Sequence, residues 1–315
     1  MRALTRRWGL ALATGAVFVV FSEAMFWPSP AKLANPGAIG AWIAYSLLAW
    51  VFLALRNRFR ARSVWAIFLC GAAVGWLAEG VIVRTVYEQL PLSLSWTGLA
   101  WHALITVVGG WWLLGGAVVG GDTARTARFA TVIGLCWGVW VIFWWVEDGK
   151  ATPVATFALS ALGAGVALAA GLAGTAALGG APFTPSRGES WAVGGLVGIA
   201  YALTVVTTPL ALLLVPLLAV VYLALRANRK REDGEPCAAP AKPRLRPATL
   251  AALLPLPVAA IAVYGAADLL GLRLPTNWVV YLVTTPTGAA MFVLAATKLL
   301  RRTLVAPEVE QPRVA

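Results

Sequence analysis

Glu79 and His102 are the two side chains in this chain whose types and placement suit joint acid–base chemistry, and His102 is its sole histidine. A carboxylate beside an imidazole can orient the ring, exchange a proton with it, or join it on a metal ion. Both residues fall inside long apolar runs, where an ionisable group is expensive: about 2.5–3.5 kcal/mol for an aspartate at the centre of a membrane helix. Such a group needs a partner. Gly71, Gly75 and Glu79 recur every fourth residue and therefore share one helical face, while Ser95, Gly98, His102, Thr106 and Gly109 make a similar small or polar stripe on the next run. Small residues at that spacing let helices approach closely. The two stripes thus predict adjacent antiparallel helices with Glu79 facing His102. Arg84 follows in the connecting loop, above the pair, where it is placed to stabilise negative charge or to pair with Glu88 one turn on.

Further acids share the same level of the sequence pattern. Glu23, Glu147 with Asp148, and Asp268 each stand near the end of an apolar run, as Glu79 does, and proline-containing loops follow at Pro28, Pro153, Pro275 and Pro91. Glu23 is a further candidate for an intramembrane site. Glu147 and Asp148 read as wet interfacial acids. Asp268 reads as capped by Tyr264, paired with Arg273, or part of the site. Trp76 and Trp101 are expected beside the polar groups, and most other tryptophans near predicted interfaces in aromatic belts. The cofactor is not specified: one histidine suits zinc poorly, and no Cys-x-x-Cys pair occurs among Cys70, Cys136 and Cys237.

The stretch Glu79-Gly80-Val81-Ile82-Val83-Arg84, followed by His102 in the next run, resembles the Glu-Glu-x-x-x-Arg and histidine motifs of the CPBP intramembrane proteases. That resemblance implies hydrolysis within the membrane, with the glutamate and histidine as working groups. Gly80 stands where the family has a second glutamate, and the family's further histidine motif is absent. In size and span number alone the chain is similar to drug/metabolite transporters, without their visible five-helix repeat.

The elements that must position these residues are membrane helices. Of 315 residues, 60% are hydrophobic and only 12% charged, against about 45–50% and 25% in soluble domains. The apolar runs predict an all-α, polytopic transmembrane helix bundle of about ten spans, at 8–27, 37–55, 63–83, 97–119, 128–146, 154–178, 191–206, 209–225, 247–271 and 277–300. The first run follows Arg2, Arg6 and Arg7 and could be taken for a signal peptide, but its length favours a retained span. The stretch 191–225 is too long for one crossing, and a break at Thr207-Thr208-Pro209 divides it in two. Thr284-Thr285-Pro286 reads as a kink. Arginines concentrate in the even-numbered loops, which predicts an N-in/C-in arrangement in the cell (inner or plasma) membrane. The expected organisation is an eight-span region at 1–226, a flexible cytoplasmic linker at 227–246, a two-span hairpin at 247–302 and a disordered cytoplasmic tail at 303–315. The net charge of +12 lies in short loops rather than on a folded basic face, so nucleic acid is not an expected partner. The expected partners are the lipid bilayer and a lipid-like or small-solute ligand. The residues leave three roles open: an intramembrane hydrolase-like enzyme acting on a lipid or peptide, a proton- or cation-coupled small-solute transporter, and a structural or assembly subunit.

Overall fold

The computed structural model describes residues 2–29, 37–231 and 245–304. Among these it contains ten helices long and apolar enough to cross a membrane, and no strand. They are α1 (Ala3–Ala24), α2 (Gly37–Arg58), α3 (Val64–Ile82), α4 (Leu94–Gly120), α5 (Thr123–Glu147), α6 (Val154–Leu178), α7 (Arg187–Thr207), α8 (Pro209–Arg229), α9 (Pro247–Leu269) and α10 (Asn277–Arg301). The architecture fits an integral membrane protein. Large apolar side chains face outward along much of the bundle, among them Leu196, Ile199, Leu203 and Val206 on α7. A bilayer solvates that surface as water could not.

The ambiguous stretch crosses twice. At the start of α7, Glu189 pairs with Arg7 near the N-terminus. Near its end, the Thr204 hydroxyl donates to the Val81 carbonyl at the far end of α3. The chain breaks at Thr208, whose φ and ψ of −142° and 84° leave the helical region. Helix α8 then returns, and the Asn228 amide donates to the Phe59 carbonyl in the loop after α2 at 3.0 Å. The N-terminus, the loop after α2, the start of α7 and the end of α8 therefore lie at one end of the bundle. Proline suits the break because it supplies no N–H to the preceding turn. Pro286, by contrast, lies inside a continuous helix, Asn277–Leu304.

Two segments expected to be disordered begin as helix. The helix that contains α8 runs to Arg231, so the first five residues of the 227–246 linker are helical. Residues 232–244, with Cys237, lie outside the described residues, as do 305–315 of the tail. Helix-forming Arg, Ala and Lys predominate after Leu225 with no Gly or Pro before Arg231, and polarity alone does not end a helix.

The interior divides into two apolar clusters. One gathers α2 and α3 with parts of α8 and α10, including Phe52, Phe68 and Leu69. The other gathers α5, α6 and α9, including Trp137, Phe157 and Tyr264. Helices α1 and α4 contribute to both, Phe18 and Val107 to the first and Phe21 and Leu114 to the second. They form the seam between the clusters, and most of the polar side chains described next sit on that seam.

Candidate functional site

Helices α3 and α4 touch through their small residues. Gly71 abuts Ala103 and Val107, and Gly75 abuts the Gly98 carbonyl and the His102 β-carbon. This close approach brings the two long side chains together: His102 Nε2 lies 2.7 Å from Glu79 Oε1. The imidazole is almost fully buried, while the Glu79 side chain keeps 14% of its exposure.

The other ring nitrogen is also engaged. His102 Nδ1 lies 3.1 Å from Ser22 Oγ on α1, and Ser22 Oγ lies 3.1 Å from Thr106 Oγ1 on α4. Thr106 in turn donates to the Trp101 carbonyl at 3.0 Å. The Trp101 indole donates to the Ser22 carbonyl at 3.1 Å and fixes that turn of α1. On the other carboxylate oxygen, Thr85 donates to Glu79 Oε2. Glu23 accepts a hydrogen bond from the Tyr45 hydroxyl of α2 at 2.9 Å. The Tyr45 ring stands 6.0 Å from the imidazole.

Counting protons shows what this chain of bonds can do. Each hydroxyl has one hydrogen to give. If Ser22 donates to Nδ1 of a neutral imidazole, Thr106 must choose between Ser22 and the Trp101 carbonyl. If the ring carries both protons, it donates to Glu79 and Ser22, Ser22 donates to Thr106, and Thr106 donates to Trp101. The same side chains thus accommodate two states that differ by one proton, without moving a heavy atom.

All three π-helical stretches among the described residues carry these groups: Val20–Ala24 holds Ser22 and Glu23, Ala78–Ile82 holds Glu79, and Leu94–Leu114 holds His102 and Thr106. The wide turns show as bonds spanning five residues, Met25 N to Val20 O and Val83 N to Ala78 O, both 2.9 Å. Such turns recur at functional sites.

Not every sequence candidate joins this group. Arg84 has an exposed side chain and forms no ion pair with Glu79 or Glu88 among the described residues. Its backbone, at φ 74° and ψ 7°, makes the left-handed turn after α3, and Thr85 follows it. Glu147 and Asp268 are exposed and stand apart. Tyr264 does not cap Asp268; its hydroxyl donates to the Thr152 carbonyl, and Arg273 lies over the Trp145 ring instead of pairing with Asp268. Trp101 touches the site. Trp76 instead bonds the Leu94 carbonyl and packs on Phe292. Trp96, Trp101 and Trp140 form an internal aromatic group with Phe26 and Tyr281, where an interfacial belt was expected for Trp96. Ser22 and Tyr45 were missed as site residues. Ser22 carried a usable signal, its position next to Glu23 at the level of the other acids; Tyr45 carried none, since one tyrosine in an apolar run has no distinguishing spacing.

Among the described residues, no group of three His, Cys, Asp or Glu side chains stands close enough to hold a metal ion. No protein-family model, curated protein or solved structure matches the chain. The likeness of residues 79–84 and His102 to the CPBP motifs is therefore a local one.

Proposed function

We propose that the protein is an intramembrane enzyme with hydrolase-like acid–base chemistry on a lipid or peptide substrate. In this reading Ser22 is the nucleophile, His102 is the base and Glu79 orients the ring. The observation that carries it is the buried run Glu79–His102–Ser22, with a carboxylate on one ring nitrogen and a hydroxyl on the other. That constellation activates a hydroxyl wherever it occurs, independent of fold. As Ser22 attacks an acyl carbon, its proton passes to Nδ1 and on to the leaving group; water then gives a proton to Nδ1 as it attacks the acyl-Ser22 ester, and that proton returns to Ser22 Oγ as the acid departs. Glu79 accepts from Nε2 throughout and stabilises the charged ring. Glu23, held by Tyr45, places a second carboxyl group near the ring.

The layer next to the site, midway through the bundle, favours chemistry over transport. Along α1, α2 and α4 the site is followed by Phe18, Phe21, Phe52 and Trp111, with Phe18 and Phe52 5.5 Å apart and Phe52 and Trp111 4.8 Å apart. A proton or solute relay needs polar groups across the bilayer, and this layer is aromatic. With the even-numbered loops cytoplasmic, the site belongs to the outer half of the bundle.

The test uses the full protein in lipid nanodiscs, a fluorophosphonate probe with intact-mass readout, and panels of acyl lipids and peptides. One adduct on Ser22 is expected, lost in Ser22→Ala and His102→Asn. Turnover should fall by about 10²–10⁴-fold in His102→Asn. An adduct that persists in His102→Asn, or wild-type protein that neither labels nor hydrolyses any substrate class, overturns the reading.

A further inference from the structure

A second polar site lies at the other end of the bundle, independent of the first. A cleft of about 280 Å³ is bounded by α1, α2, α4, α6 and the loop after α6. Its walls are mostly apolar, with Leu10, Leu53, Leu172 and Phe183 among them, and Arg56 brings the one charge to its lining. Three buried polar atoms on this lining have no hydrogen-bond partner: Thr14 Oγ1, Arg56 Nε and Asn57 Oδ1. Thr14 is fully buried. Buried polar atoms are paired in the great majority of cases, because leaving one unmatched costs about 1–3 kcal/mol. Three on one cleft call for a shared ligand. The Arg56 guanidinium is held 5.2 Å from the Trp111 ring centre and forms no ion pair among the described residues. Arg6 closes the neighbouring rim by donating to the carbonyls of Leu178, Ala181 and Pro182.

The unmatched atoms specify the ligand. Arg56 supplies a charged donor, Asn57 an acceptor, and Thr14 either. An anion with hydroxyl groups satisfies all three. A phosphate with a glycerol attached carries both the anion and the hydroxyl groups on one molecule. We infer that this cleft binds the phosphate-and-polyol head of a glycerophosphate, as an anionic lipid or as the free ester.

Gly116 gives a clean test. It lines the cleft, and a β-carbon there meets nothing within 4 Å, so Gly116→Leu adds bulk at the cleft wall with no clash at its β-carbon and no change of charge. Delipidated wild-type protein, Gly116→Leu and Arg56→Gln are compared by native mass spectrometry and thermal unfolding. Each is titrated with phosphatidylglycerol, phosphatidylcholine and free glycerol phosphate. Wild type should retain and be stabilised by phosphatidylglycerol but not phosphatidylcholine. Both variants should bind about tenfold more weakly or worse, as expected for loss of one charge-assisted contact or of the space. A full response to free glycerol phosphate assigns the soluble ester as the source; a response only to the lipid assigns the membrane. Equal binding of the two lipids, or unchanged phosphatidylglycerol affinity in Gly116→Leu, overturns the inference. The arginines of the loop after α2 attract anionic lipid without specificity, and Gly116→Leu leaves them untouched. That variant therefore decides the matter even if Arg56→Gln does not fold.

Discussion

Replacing Gly75 with alanine should break the candidate site from a distance. The added β-carbon would lie 2.2 Å from the Gly98 carbonyl oxygen and 2.8 Å from the His102 β-carbon, where ordinary contact begins at 3.4 Å. Both are unyielding neighbours, one backbone and one at the root of its side chain. Helix α4 must therefore recede by about 1 Å, or both helices must bend. A recession of that size carries the 2.7 Å bond between Glu79 and His102 out of hydrogen-bonding range. Overpacking costs about 1–3 kcal/mol, and a charge-assisted bond about 1.5–3 kcal/mol. The two overlap, so a loss of about 2–5 kcal/mol is expected. Reversible unfolding in mixed detergent micelles measures it, with Gly194→Ala as the control, since a β-carbon there meets nothing within 4 Å. The control should stay within about 0.5 kcal/mol of wild type or gain slightly from better helix propensity. In the double variant with His102→Asn the two losses should fall short of additivity by 1 kcal/mol or more, because the bond is already gone. Gly75→Ala within about 0.5 kcal/mol of wild type, or strict additivity, would refute the argument that close helix approach holds the pair.

Three further outcomes follow. Tyr87, in the loop between α3 and α4, donates to the Gly80 carbonyl at 2.8 Å, and its pKa is pushed up to about 12 by partial burial and by Tyr201, against the pull of Arg84. Because the folded value exceeds the unfolded one, the stability Tyr87 contributes should be intact below pH 10 and lost as pH rises from about 10 to 12; a Tyr87→Phe variant showing the same alkaline loss would contradict this. Arg84→Gly should leave stability near wild type, since relief of about 1 kcal/mol of left-handed strain offsets glycine's extra unfolded freedom, and hydrolysis should persist; abolished activity in a folded variant would return Arg84 to the site. An impermeant thiol reagent should leave Cys237 unlabelled in intact cells, whereas labelling from outside would invert the N-in/C-in orientation and with it the placement of the site in the outer half of the bundle.

The spans were legible because apolar runs of that length have few other fates, and the pairing of Glu79 with His102 was legible because both lie on stripes of small residues with a short loop between them. Contacts between distant runs were not. Nothing in the spacing brings Ser22 of α1 to His102 of α4, or Tyr45 of α2 to Glu23, because the order in which ten helices pack is set by many shallow apolar contacts that share one composition. Arg84 misled for a related reason. Proximity in sequence placed it above Glu79, but the left-handed turn at Arg84 itself points its side chain out and brings Thr85 to the carboxylate instead.

The wide turns explain why helical periodicity could not finish the assembly. One extra residue in a turn rotates everything beyond it by about 100° around the helix. In α1 the extra residue falls within Val20–Ala24, where Ser22 and Glu23 sit. Ser22 faces the imidazole at 3.1 Å while its neighbour Glu23 faces Tyr45 at 2.9 Å, so two consecutive residues serve different partners. In α3 the extra residue comes at Ala78–Ile82, so the four-residue stripe of Gly71, Gly75 and Glu79 is intact up to the carboxylate and is lost beyond it. Widened turns are less favourable than regular ones and persist where other contacts compensate. Here the compensating contacts are polar: the Trp101 indole on the Ser22 carbonyl and the Thr85 hydroxyl on Glu79. If only packing were at stake, Trp101→Phe would keep most of the apolar contact and the site with it. If the wide turn positions the hydroxyl, Trp101→Phe should lower the reactivity of Ser22 toward the fluorophosphonate by about tenfold or more, as expected when a reacting group shifts by a fraction of an ångström, with little change in unfolding.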